Sequence, residues 1–202
     1  MLHRKAVEPH TLSLILSLQT KPYTRDFLLV GGTALALQLG HRTSTDVDLF
    51  TNKRFDVPQL LEFLRNDFSI QVRNQMNHAL LLNINSIKTD FVFQPSDLLS
   101  TPVEVENVRM ASLIEIGAMK IVAITARGRR RDFIDLYCLM EHFKLPELLD
   151  AFLIKYKDAT LELAIRSLFY FEDADNDLEP KCFFDYSWDK IKSKIKKEAS
   201  KL

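Results

Sequence analysis

The spacing of hydrophobic residues changes about halfway along this 202-residue chain. In the first half, short apolar runs typical of strands alternate with segments whose apolar residues recur every three to four positions, as on an amphipathic helix. After residue 110 only the helical spacing recurs. The pattern therefore predicts an α/β (α+β) core over residues 1–110, followed by a helical subdomain over residues 111–202 that packs on the core.

Individual elements can be predicted within both halves. The strand-like runs cover residues 26–30, 46–50, 69–73, 79–85, 87–94 and 103–110. The helical segments cover residues 9–20, 32–40, 57–67, 111–126, 131–143 and 187–200, with two more inside 146–171. The fourth and fifth runs meet at the sequence NSIK, which favours a hairpin. The acidic segment 172–180 lacks apolar anchors and is predicted to be a surface loop.

Composition and charge exclude several classes of protein. Lys and Arg together number 27, as do Asp and Glu, so no overall basic field attracts nucleic acid and a polyanion needs a local patch. No apolar segment is long enough to span a membrane. The two cysteines have neither metal-ligand spacing nor the density of a disulfide scaffold, which favours a reducing compartment and a cytoplasmic location.

Two aspartates one residue apart stand inside the second predicted strand. Residues i and i+2 of a strand project from one face, so Asp46 and Asp48 should point together. Asp90 lies in another apolar strand, and the three carboxylates converge if these strands are neighbours. Like charges about 4 Å apart repel by roughly 4 kcal/mol at a dielectric near 20, so protons or cations must neutralise the cluster. Oxygen-only ligands favour Mg²⁺ or Mn²⁺.

A double glycine between the first strand and the next helix supplies a second part of the predicted site. Gly31 and Gly32 allow a tight turn and a close approach of the backbone to a ligand. The N–H groups of the following helical turn attract phosphate, and the hydroxyl of Thr33 can contact the same anion. Carboxylates that hold a metal and a turn that holds phosphate together predict a site for a nucleoside triphosphate (NTP) with its magnesium.

These residues resemble the first motif of the nucleotidyltransferase AbiEii/AbiGii toxin family, within the DNA polymerase beta-like nucleotidyltransferase superfamily. The residues that carry the motif are Gly31, Gly32, Thr33, Arg42, Ser44, Asp46, Asp48 and Leu49. Asp90 stands as the third carboxylate, and the resemblance covers residues 25–142. It implies a polymerase beta-like core with a mixed sheet. It also implies the toxin of a bacterial toxin-antitoxin or phage-defence pair, with a cognate antitoxin.

A lysine and an acidic residue in the helical half complete the predicted site. Lys120 lies in an otherwise apolar helix, where it can bind triphosphate or extend to the helix surface. A continuous helix would place Asp135 about 22 Å from Lys120, so we expect a break at Gly128. The resemblance implies that an acid after this break belongs to the active site. Asp135 is favoured, and Asp132, which can instead cap the new helix, is the alternative.

The implied reaction is transfer of a nucleotide from an NTP. Asp46 and Asp48 would hold Mg²⁺, and Asp90 would bind a second metal ion and accept the proton of the attacking hydroxyl. The turn at Gly31–Thr33 and Lys120 would hold the leaving pyrophosphate. Arg42 and Ser44 would support these groups, although Arg42 can instead pair with a carboxylate.

The acceptor of the nucleotide is less constrained by the sequence. The resemblance implies transfer RNA (tRNA) or protein. A basic cluster precedes and begins the predicted helix 131–143, and it consists of Arg127, Arg129, Arg130 and Arg131. This cluster and the C-terminal lysines can bind RNA or form a solvated surface. Two alternatives to a toxin acting on a macromolecule remain: an inactive nucleotide-binding scaffold, and a small-molecule nucleotidyltransferase that modifies antibiotics.

Overall fold

A computed structural model describes all 202 residues and contains one seven-stranded sheet. The strands are β1 (Leu28–Val30), β2 (Val47–Thr51), β3 (Ile70–Met76), β4 (Ala79–Ile84), β5 (Ile87–Phe93), β6 (Val103–Val105) and β7 (Val108–Met110). The helices are α1 (Pro9–Gln19), α2 (Gly31–Leu39), α3 (Val57–Asp67), α4 (Leu113–Ala126), α5 (Arg130–Leu139), α6 (Leu145–Lys155), α7 (Leu161–Ser167), α8 (Glu172–Asp175) and α9 (Trp188–Ala199). None of these helices combines the length and the apolar composition of a membrane span.

The chain forms two compact units. The first consists of Met1–Asp97 with Pro102–Ala111, and the second of Leu98–Thr101 with Ser112–Leu202. The whole sheet lies in the first unit, in the order β3-β4-β5-β2-β1-β7-β6. The β2–β5 and β1–β7 pairs are parallel and the other pairs are antiparallel. The predicted α/β class with a mixed sheet is therefore confirmed.

The burial pattern of β2 determines which side chains the sheet presents to solvent. Val47 and Leu49 are fully buried, whereas Asp48 and Phe50 between and after them are only partly covered. Helix α2, which contacts both β1 and β2, contributes fully buried alanine and leucine side chains to the core. Because a slip of one residue would turn the apolar side chains outward, this core holds the register that keeps Asp48 on the opposite face.

Most predicted elements are observed, but two predictions were wrong. The single strand expected over residues 103–110 is the hairpin β6–β7, because Glu106 and Asn107 both adopt positive φ, 52° and 63°, and so form a two-residue turn. The acidic segment expected to be a loop contains the short helix α8. The predicted β4–β5 hairpin is confirmed, with Asn85 and Ser86 also at positive φ.

The second unit is helical, and α4 contacts α5, α6 and α7. Gly117 allows α6 to approach, since a Cβ there would lie 2.5 Å from the side chain of Leu148. Glu115 on α4 and Lys155 on α6 form a buried ion pair. Glu115 also accepts a hydrogen bond from the backbone N–H of Leu99 at 2.7 Å, which ties the short segment Leu98–Thr101 to this unit.

One arginine of the predicted basic cluster makes structural contacts within the second unit. The Nε of Arg130 donates to the carbonyl of Ala174 at 3.0 Å, and its guanidinium lies 5.1 Å from the centre of the Trp188 ring. Trp188 in turn packs against Phe133 and Phe171. Arg130 thus connects α5 with α8 and α9, and its part in binding RNA stays a prediction.

Candidate active site

The first turn of α2 touches Asp48 directly. Gly31 begins the helix at a φ of +70°, and a Cβ at this position would lie 2.5 Å from Oδ2 of Asp48. Glycine is the residue that tolerates both conditions. No side chain caps the helix, and its first turn contains no acidic residue. The turn predicted from the double glycine is therefore present, with backbone N–H groups suited to an anion beside a carboxylate.

Buried polar side chains pack around this turn and support it. Arg42 is buried and its guanidinium lies against Gly32, where a Cβ would clash with it. The hydroxyl of Thr33 lies 2.9 Å from that of Ser44 and also bonds the backbone carbonyl of Asp46. These contacts hold the start of α2 to the segment that enters β2. A further contact of Thr33 with phosphate stays a prediction.

The strands that carry the predicted carboxylates are neighbours, as expected. In the parallel β2–β5 pair, Asp48 stands opposite Asp90, and adjacent strands lie about 4.8 Å apart. Burial, the largest cause, raises the pKa of the Asp90 carboxyl above its ordinary value. The charges of Arg73 and Lys88 oppose that rise, and the charge of Asp46 adds to it. All three acids therefore lie within electrostatic reach on one side of the sheet.

Two basic side chains that we did not predict neutralise this cluster. Nζ of Lys88 donates to Oδ2 of Asp46 at 3.2 Å, and the guanidinium of Arg73 donates to Oδ1 of Asp90. Lys88 has a local signal, because it precedes Asp90 by two residues on β5 and so shares its face. Arg73 has none, because it lies on β3, two strands away from β5.

The donor chemistry of the cluster fits a hard divalent cation. Its three acids, Asp46, Asp48 and Asp90, offer only carboxylate oxygens, which suit Mg²⁺ or Mn²⁺. No three His, Cys, Asp or Glu side chains of the chain are arranged as a preformed metal site. Instead, ion pairs with Lys88 and Arg73 hold two of the carboxylates. These acids can ligate a cation once they exchange those partners.

In the second unit, Lys120 forms a buried triad with both candidate acids. Its Nζ lies 2.8 Å from Oδ1 of Asp132 and 2.6 Å from Oδ2 of Asp135. No member of the triad is more than 6% exposed. The chain turns between α4 and α5 at Gly128, whose φ is +50°, and this turn brings the two acids back to the lysine. The expected helix break is therefore confirmed.

The triad does not distinguish Asp135 from Asp132 as the active-site acid. Asp132 does not cap α5, whose N-cap is Arg129 and whose end has no side-chain cap. Its Oδ2 is buried without a hydrogen-bond partner. One ammonium group faces two carboxyl groups, so most of the charge of Lys120 is already compensated within the unit. Phosphate binding by Lys120 stays a prediction.

A mixed sheet with carboxylates paired across adjacent parallel strands, beside a glycine turn that opens a helix, is consistent with the nucleotidyltransferase resemblance of the sequence motif. The family model of the nucleotidyl transferase AbiEii toxin, from type IV toxin-antitoxin systems, matches residues 14–201. The chain therefore belongs to the AbiEii toxin family. The predicted family and the predicted enzyme class are both confirmed.

Three individual proteins are similar to this chain. An uncharacterized protein of Aquifex aeolicus, aq_aa25, is 34% identical over 165 residues, which is 77% of this chain and 80% of that protein. MenT4, a nucleotidyltransferase toxin of Mycobacterium tuberculosis, has a TM-score of 0.57 at 14% identity, covering 95% of this chain and 90% of its own. JHP933 of Helicobacter pylori has a TM-score of 0.53 at 16% identity, covering 96% and 92%. At such identities the two structures show a shared fold.

Proposed function

We propose that this toxin transfers a nucleotide from an NTP to RNA, with tRNA as the favoured acceptor, and that it requires Mg²⁺ or Mn²⁺. The observation that carries the proposal is the placement of Asp48 opposite Asp90 and beside Gly31. Two carboxylates that could ligate a cation therefore lie next to backbone N–H groups that suit a phosphate. Family membership supports a cytoplasmic toxin with a cognate antitoxin, acting in phage defence.

The carboxylates divide the work in this reaction. Asp46, Asp48 and Asp90 would hold the divalent cations, which neutralise phosphate charge and lower the barrier to in-line attack. Asp90 would also accept the proton of the attacking hydroxyl. As the acceptor oxygen bonds to the α-phosphorus, the bond to pyrophosphate breaks.

The remaining residues would bind the phosphate groups or fix the geometry of the glycine turn. The N–H groups at Gly31–Thr33 would bind the phosphates, and Arg42 supports the turn by packing against Gly32. For Lys120 we retain the role of a phosphate ligand and for Asp135 that of its acidic partner, with Asp132 as the alternative. Their supports are family membership and the burial of a lysine among apolar helices.

An open cleft in the second unit supports RNA as the acceptor. The cleft has a volume of about 310 Å³, and its lining includes Arg127, Arg166 and Tyr170 as well as the acidic Asp173. Arg127 is exposed and makes no ion pair, and half of the Tyr170 surface is exposed. Arginine binds phosphate, and an exposed aromatic ring can stack on an unpaired base. Exposed lysines of α9, such as Lys197, add positive charge to the same unit.

Labelled NTPs test this function directly. The protein is incubated with each α-labelled NTP, total RNA and Mg²⁺, with a parallel sample in excess chelator. Label on RNA that disappears with chelator supports the proposal. Label on a low-mass product would show a small-molecule nucleotidyltransferase. Stabilisation of the protein by nucleotide, without any label transfer, would show an inactive scaffold.

Gly31→Ala should reduce nucleotide transfer by about tenfold or more, which corresponds to about 1.4 kcal/mol. The new Cβ forces the carboxylate of Asp48 to move, and φ of +70° is unfavourable for alanine by about 1–2 kcal/mol. Gly40→Ala is the matched control, because Gly40 has a φ of +66° but lies against the ring of His3. Both variants should lose thermal stability, and only Gly31→Ala should lose binding of Mg²⁺ and NTP. Equal loss of binding in both variants would contradict this account.

A further inference from the structure

Arg73 lies at a β-bulge in β3, the edge strand of the sheet. The register of β3 with β4 shifts between Val72 and Asn74, so Arg73 has no partner residue in the ladder. A bulge of this kind changes the direction of a side chain and is common next to active sites. Here the side chain crosses β4 and reaches Asp90 on β5.

The guanidinium of Arg73 makes two separate contacts. Its Nε donates to the backbone carbonyl of Leu82 on β4 at 3.1 Å, and its Nη2 donates to Oδ1 of Asp90. The first contact does not depend on the second. If Asp90 takes another partner, the Nε contact still holds the guanidinium over β4, and its remaining N–H groups become available to another anion.

The charges around Asp90 make such an exchange favourable. Three carboxylates face only two basic side chains, Arg73 and Lys88. The side chains of Arg73 and Asp90 are 30% and 16% exposed, so ions from solution can reach this ion pair. A divalent cation and an arginine compete for the same carboxylate oxygen. An NTP then adds several negative charges beside the displaced guanidinium, whose planar fork matches phosphate geometry.

We propose that Arg73 exchanges partners when substrate binds. It neutralises Asp90 in the absence of a divalent cation, and it binds a phosphate of the NTP once Asp90 becomes a metal ligand. The inference rests on the proposed function for the identity of the ligand. It assigns to Arg73 both the electrostatic stabilisation of the ligand-free site and a contact with the nucleotide.

Arg73→Gln separates these two roles, because they predict effects of opposite sign. Without nucleotide, Mn²⁺ should bind the variant about fivefold or more tightly than wild type, since a competing positive charge has been removed. With saturating Mn²⁺, an NTP with a non-hydrolysable α–β linkage should bind about fivefold or more weakly, since a charge-assisted hydrogen bond to phosphate is lost. Electron paramagnetic resonance of free Mn²⁺ and calorimetry with the nucleotide give the two affinities.

Two further variants complete the test. Arg65→Gln removes an exposed arginine of α3 that makes no ion pair, and it should change neither affinity. Arg73→Lys keeps the charge but not the fork, so Mn²⁺ should bind as in wild type and the nucleotide more weakly. Circular dichroism confirms that each variant folds.

The inference and the proposed function fail in different ways. Nucleotide affinity that is unchanged or increased in Arg73→Gln, or Mn²⁺ affinity that is unchanged or decreased, would overturn the exchange of partners. Wild-type protein that binds no Mn²⁺, with or without nucleotide, would contradict the proposed function itself and remove the basis of the exchange.

Discussion

Asp48→Asn should reduce nucleotide transfer by about 100-fold or more while the protein remains folded. Loss of an outer-shell partner of a metal already costs about 10–100-fold, and Asp48 is proposed as a direct ligand. The fold should survive because this side chain is only partly covered and projects away from the apolar face formed by Val47 and Leu49. The rate of label transfer to RNA at saturating Mg²⁺ measures the effect, and circular dichroism measures folding.

A matched aspartate distinguishes this effect from a general change of charge. Asp26 precedes β1 and pairs with Lys53. Within β1, the first residue, Leu28, stands opposite Phe50, and the last residue, Val30, stands opposite Asp48. Asp26 therefore lies toward the opposite end of β1 from the site. Asp26→Asn should retain transfer within about twofold, which is about 0.4 kcal/mol. Transfer by Asp48→Asn at the wild-type rate would show that this carboxylate takes no part in the reaction.

Lys120→Met should lower the free energy of unfolding by about 3–5 kcal/mol. The substitution leaves Asp132 and Asp135 buried, at 1% and 0% exposure, without their shared cation. The free-energy cost of keeping two unpaired carboxylates away from water is far larger than the stabilisation that packing of the methionine side chain contributes. Urea unfolding followed by circular dichroism measures the change, and the loss should appear in the absence of nucleotide and metal.

The comparison for this variant is an exposed ion pair. Lys53→Met removes the partner of Asp26, where the side chains are 67% and 40% exposed, and it should change stability by no more than about 1 kcal/mol. Adding Asp132→Asn and Asp135→Asn to Lys120→Met should restore part of the lost stability, because the unpaired charges are removed with the lysine. A Lys120→Met protein as stable as Lys53→Met would contradict the buried triad.

Local patterns predicted the parts of the fold that depend on neighbouring residues. The alternation of Val47 and Leu49 with Asp46 and Asp48 identified both the strand and its polar face, because strand geometry has a period of two. The helix break was predictable because Gly128 stands where a continuous helix would separate Lys120 from its partners. The β6–β7 hairpin was missed because its turn begins with Glu106, a residue that rarely adopts positive φ, whereas the turn of the predicted β4–β5 hairpin begins with Asn85.

Parts of the candidate site depend on tertiary contacts that no local pattern contains. Arg73 reaches Asp90 only because β4 lies between β3 and β5 and because a bulge turns the side chain toward the site. Likewise, the sequence places Asp132 and Asp135 three residues apart, on one face of a helix. That both contact Lys120 follows from the packing of α5 on α4, which spacing along the chain does not determine.

The proposed reaction depends on divalent cations that carboxylates from β2 and β5 bind jointly for a nucleotide. Titration of Mn²⁺ by electron paramagnetic resonance, with a non-hydrolysable NTP present, measures this binding. Wild-type protein should bind Mn²⁺ stoichiometrically, and the double variant Asp48→Asn, Asp90→Asn should bind it about 100-fold or more weakly, a difference of about 2.7 kcal/mol. Equal Mn²⁺ affinity in a correctly folded double variant would contradict the account.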